Sequence, residues 1–128
     1  MNAPGDVAPW VAKAEEDFVI AESCLRRKKP LTYGACFHAQ QCAEKYLKAA
    51  LVASGSAFPK THDLIMLSEM CSRAGVSIGM DAKRLHLLAD AGVRVRYPGE
   101  DPTLVEAQRA LEVAKAVRRS VRRWLAVR

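Results

Sequence analysis

The sequence predicts an all-α fold, and three observations carry that expectation. Half of the residues are apolar but only 6% are aromatic, so Ala, Leu and Val must fill the core, which suits closely approaching helices better than sheets. Apolar residues recur at spacings of three and four through the long stretches, the period of a helix with one buried face. All six prolines (Pro4, Pro9, Pro30, Pro59, Pro98, Pro102) fall between those stretches, where the absent N–H and the restricted preceding residue end helices at little cost. The expected architecture is an up-and-down antiparallel bundle of four to five helices, in a single domain over residues 1–128. A chain of 128 residues can bury such a core without disulfides.

The first element, about Trp10 to Arg27, places Trp10, Ala14, Phe18, Ala21 and Leu25 on one stripe, with Glu15, Glu16 and Glu22 opposite. The second runs from about Tyr33 to Ser54, with Thr32 as its N-cap and Gly55 as its C′ stop. Cys36, Ala39, Ala43, Tyr46, Leu47 and Ala50 share one arc of it, and His38, Gln41, Glu44, Lys45 and Lys48 the other. Gln40 falls inside the apolar arc and needs a hydrogen-bond partner there. A third helix, "THDLIMLSEMC", is capped by Thr61 or His62 and turns Leu64, Leu67 and Met70 inward. A fourth, from about Met80 or Asp81 to Gly92, buries Leu85, Leu88 and Ala89 before "YPGEDPT" forces a loop. The last, about Leu104 to Val127, packs Ala107, Ala110, Leu111, Ala114, Val117, Val121 and Trp124 inward, with Lys115, Arg118, Arg119, Arg122 and Arg123 facing away.

The net charge of +6 is uneven: the segment from Thr103 onward carries +5 of it. Such a basic helix invites an acidic counterpart, either RNA or an acidic protein, or it is a solvated surface. Cys24, Cys36, Cys42 and Cys71 contain no CxxC pair and read as small buried thiols. No His–Cys–acid spacing suggests a metal site, and neither metal nor cofactor is expected. The first thirty residues, interrupted by Asp6, Glu15, Glu16, Asp17 and Glu22, hold no apolar signal core, and no apolar run reaches membrane-spanning length. A cytoplasmic location without membrane association is expected.

Taken together, "YGACFHAQQCAEKYLKAALVASG", "FPKTHDL" and "RYPGE" before a final helix resemble the HEPN domain family, over about residues 8 to 126. The resemblance implies a helical bundle, usually homodimeric, often encoded beside a small nucleotidyltransferase with which it can form a toxin–antitoxin pair. Many members are similar in carrying an Arg, four to six residues, then a His, a motif that two copies assemble into a metal-independent ribonuclease site. In this chain four residues separate Arg94 from Gly99, and four separate Arg96 from Asp101, at the histidine position, and no histidine follows His86. The segment resembles the "RYP" branch, in which that motif is not apparent.

Metal-free RNA cleavage needs one group to take the 2′-OH proton and another to protonate the leaving oxygen. Arg94 and Arg96 can clamp a phosphate but do not exchange protons near pH 7. Arg94, Arg96 and Tyr97 therefore read either as a phosphate or nucleotide site or as a helix exit with its last carbonyls capped. Glu44, Lys45 and Lys48 read either as a solvated face with a Glu44–Lys48 pair or as a seam where Glu44 orients Arg94 or Arg96. Lys60 and His62 sit where the third helix opens, suited to an anion or to a structural cap. No catalytic residue is assigned. The function expected is a binding module pairing with a nucleotidyltransferase-type protein and taking a nucleotide, RNA or other phosphate-bearing ligand. The alternatives are a toxin-type ribonuclease with a degenerate site and a helical interaction protein with no small ligand.

Overall fold

The computed structural model describes residues 6–93 and 97–127. Among these the chain forms five α-helices and no strand: α1 (Ala8–Arg26), α2 (Thr32–Ala53), α3 (Leu64–Arg73), α4 (Ala82–Val93) and α5 (Leu104–Val127). The all-α expectation holds, at the upper helix number. No helix among the described residues is long and apolar enough to cross a membrane.

Helix α2 is the axis of the bundle and packs against all four others. Its alanines allow this. Ala35, Ala39, Ala43, Ala49 and Ala50 are all fully buried, and so small a side chain lets neighbouring backbones approach while raising helix propensity. Tyr46, Leu47 and Leu51 fill the remaining core with Leu64 and Leu67 of α3, Leu85 and Leu88 of α4, and Val117 and Val121 of α5. Helices α4 and α2 approach closely at Gly92, where a Cβ would stand 2.8 Å from Cγ of Gln40 and 3.0 Å from the Cys36 carbonyl oxygen. Any larger residue would push α4 off α2.

Two helix caps differ from the expected ones, and a third start shows its own. Leu31, not Thr32, precedes α2, and it makes no side-chain cap; its N–H instead bonds the Cys24 carbonyl at 2.9 Å, satisfying the end of α1. Helix α3 is capped by Asp63 rather than Thr61 or His62, the carboxylate accepting from the Ile65 and Met66 amides at 3.0 and 3.1 Å, because an anion suits the positive end of a helix better than a hydroxyl. Thr103 and Glu106 form a reciprocal capping box at the start of α5, each side chain accepting from the other's amide at 3.1 and 3.2 Å. Gly55 stops α2 at φ 76°, as expected.

Candidate functional site

The polar arc of α2 is not a solvated face. Glu44 is 2% exposed and Lys48 is buried beside it, so the solvent-facing reading of these two residues is overturned: α1 and the chain from Phe58 to His62 close over them. The Glu44–Lys48 pair itself forms as the i,i+4 spacing predicts, at 3.1 Å. Lys48 Nζ also stands 5.7 Å from the Trp10 ring centre and 6.0 Å from that of Phe58, and the two rings meet edge to face. The ammonium thus exchanges water for a carboxylate and two π faces.

Glu44 Oε1 is the hub of this cluster. It accepts from His62 Nδ1 at 3.0 Å and from Gln40 Nε2 at 3.3 Å. Gln40 Nε2 also donates to the His62 carbonyl at 3.2 Å, and Gln40 Oε1 accepts from Gln41 at 2.8 Å. The partner that Gln40 required inside the apolar arc is therefore supplied three times over. The His62 side chain remains 76% exposed although its Nδ1 is tied to the buried acid. A neutral ring with Nδ1 donating leaves Nε2 as an acceptor. Gly92 packs on Gln40, whose amide bonds the His62 carbonyl, so the end of α4 lies two contacts from the His62 backbone and three, through Glu44, from its ring.

Of the other residues singled out by sequence, Lys45 belongs to a separate cluster. Its Nζ bonds Asp17 Oδ2 at 2.5 Å, while His38 Nδ1 bonds Asp17 Oδ1 at 2.8 Å. Lys60 lies exposed in the chain leading to α3. Tyr97 is 72% exposed and opens a turn closed by the Glu100 amide on the Tyr97 carbonyl at 2.9 Å, with Gly99 at φ 90°. Arg94 and Arg96 lie outside the described residues. The structure thus joins Glu44, Lys48 and His62, and leaves Lys45, Lys60 and Tyr97 apart from them.

Two constellations were missed from sequence. Asp17 was not singled out, though it falls between Ala14 and Ala21 on the inward stripe of α1, where an acid must find a partner. Glu15, expected to face away, instead points at α5. Arg118 grips it through Nε and Nη2 at 2.7 and 2.8 Å, the Tyr46 hydroxyl donates to it, and Arg122 reaches that hydroxyl at 3.3 Å. The Arg118 guanidinium holds the Glu15 carboxyl down at about 2, and Glu15 in turn raises Arg118. Burial, reinforced by the hydrogen bond to Glu15, pushes the Tyr46 hydroxyl up to about 12. Arg118 also covers the Phe18 ring at 4.5 Å.

All four cysteines are buried, as expected. Burial raises Cys42 to about 12 and Cys71 to about 11, the opposite of an activated thiol. Among the described residues no group of three His, Cys, Asp or Glu side chains is placed to hold a metal ion.

Four helices around a central one, with internal acid–base clusters between them, define an α-helical bundle protein. The family model described as HEPN domain matches residues 7–124. The chain belongs to the HEPN domain family, and the resemblance carried by the α2, "KTHDL" and "RYPGE" segments is confirmed at that level. Searches of curated proteins and of solved structures each return no significant match.

Proposed function

We propose that this HEPN-domain protein is a binding module: a homodimer that associates with a nucleotidyltransferase-type partner, as part of a toxin–antitoxin-like pair, and presents Arg94, Arg96 and Tyr97 to a nucleotide, RNA or other phosphate-bearing ligand. The observation that carries the reading is chemical. The "RVRYPGE" segment supplies two guanidinium groups, but no histidine occurs after His86, so it can hold a phosphate without moving a proton. The exposed Tyr97 ring supports it, being open to stack on a base. The dimer is supported by Tyr33 and Phe37, which stand one turn apart on α2 and are both exposed, more apolar surface than a lone helix face needs.

The test is a titration of the purified protein with ATP, read as melting temperature and by calorimetry. Binding to the folded state alone adds about 2.7 kcal/mol at one hundred times Kd, so a rise of several degrees is expected for the native chain and none for Arg94→Ala/Arg96→Ala. Equal behaviour of the two proteins, or no rise in either, refutes the site.

A second reading is favoured by one contact chain. His62, held through Nδ1 by Glu44 and joined through Glu44 and Gln40 to the end of α4, carries an exposed imidazole able to replace the missing histidine of a ribonuclease. The ring's exposure and its separation in sequence from the arginines make it the weaker of the two, and removing His62 separates them.

A further inference from the structure

The arginine face of α5 is split in two by the fold. Arg118 and Arg122 turn to α1 and its Glu15, and Lys115 lies between Glu22 and Glu112 at 3.9 and 3.6 Å. Arg109, Arg119 and Arg123 are exposed and form a broad line along the helix: at 100° per residue Arg119 and Arg123 lie nearly opposite the buried Ala110–Val117–Val121 face, with Arg109 on the flank. Among the described residues no acid pairs with them, although Arg119 and Arg123 stand one turn apart and repel.

At the N-terminal end of this line, α4 and α5 enclose an open groove of about 450 Å³. Its apolar wall is Leu87, Val105 and Val113, and Arg84, Arg109 and Glu112 edge it. Val105 is 53% and Leu87 39% exposed, so two large apolar side chains face water beside unpaired guanidiniums.

We propose that this face is the docking surface for an acidic amphipathic helix of a partner protein. Apolar side chains of that helix enter the groove between Leu87 and Val105, and its carboxylates meet Arg84, Arg109, Arg119 and Arg123. From Arg109 to Arg123 the line runs about 21 Å at 1.5 Å per residue, the length of four helical turns, which matches the helix-in-groove mode of recognition. The apolar wall decides against nucleic acid: it gives nothing to a sugar–phosphate chain, and no aromatic residue occurs between Val105 and Arg123 for a base to stack on. The surface is distinct from the Tyr97 turn and holds whether or not a phosphate ligand binds there.

The experiment uses the full chain and a fluorescein-labelled peptide of about 20 residues, helical, with leucines at i, i+3, i+4 and i+7 and glutamates elsewhere. A control peptide has the same composition with the leucines dispersed, and oligouridylate is the third probe. Fluorescence anisotropy is expected to show the patterned peptide binding at least about tenfold more tightly than the control. Val105→Glu and Arg109→Glu should each weaken it by a similar factor. Both positions are exposed, and an unchanged melting temperature verifies the fold; Val105→Ser serves if Val105→Glu melts early. No binding, equal binding of the two peptides, or indifference to Val105→Glu overturns the proposal. Oligouridylate binding that survives Val105→Glu but fails in Arg119→Glu/Arg123→Glu, with the peptides inert, assigns the face to nucleic acid instead.

Discussion

Glu15 and Arg118 lie 103 positions apart and meet in a two-point carboxylate–guanidinium bond of 2.7 and 2.8 Å that ties α1 to α5. The Tyr46 hydroxyl from α2 donates to the same carboxylate, so one acid fastens three helices. Charge-assisted bonds of this kind contribute roughly 1.5–3 kcal/mol, and partial exposure to water moves the value toward the lower end. Arg118→Ala should cost about 1–2 kcal/mol in urea unfolding, with an unchanged slope.

The same bond sets an acid limit. The carboxyl of Glu15 falls from 4.5 to about 2 on folding, so the folded state holds the ionised form more strongly than the unfolded chain does. Its contribution is complete above pH 4.5 and is lost as pH falls toward 2. Native protein should lose stability across that window more steeply than Glu15→Gln, as read by urea midpoints from pH 5 to pH 2. Parallel curves would contradict the assignment.

Gly92→Ala distinguishes packing from helix propensity. In an open helix the change would stabilise by up to about 1 kcal/mol. Here the new Cβ meets Gln40 and the Cys36 carbonyl, and overpacking of this kind costs about 1–3 kcal/mol. A lowered melting temperature is expected. A raised one would mean that α4 is free to shift.

Glu44 and His62 should respond very unequally. Glu44→Ala leaves Lys48 buried without its carboxylate and removes an acceptor from His62 and Gln40; breaking a buried pair from one side costs about 3–5 kcal/mol. His62→Ala removes a mostly exposed ring and should cost under about 1 kcal/mol. Thermal unfolding of the two variants checks the order.

Burial raises the Cys42 and Cys71 thiols to about 12 and 11, so little thiolate exists near neutral pH. A thiol reagent such as dithionitrobenzoate should label the folded protein slowly at both, and rapidly in denaturant.

The legible part of this molecule was its periodicity. Ala14–Phe18–Ala21 and Ala107–Ala110–Ala114–Val117–Val121 read directly as buried faces, and all of these residues are buried. The α2 cluster was only half legible. The Glu44–Lys48 spacing showed the pair, but an i,i+4 pair looks the same whether water or another helix covers it, and what covers this one is contributed by Trp10, Phe58 and His62 from distant parts of the chain. Asp17–His38 and Glu15–Arg118 join residues 21 and 103 positions apart, contacts that no local pattern encodes. An acid on the α1 stripe at Asp17 was the one available sign of them.

The account's central claim is that this HEPN-domain protein holds phosphate without cutting RNA. The direct test incubates end-labelled RNA with purified native protein, Arg94→Ala and His62→Ala in excess EDTA, and reads strand length by denaturing electrophoresis. The claim predicts intact RNA in every lane. Scission by the native chain that disappears in both variants would contradict it and make Glu44–His62 the proton-transfer pair of a ribonuclease.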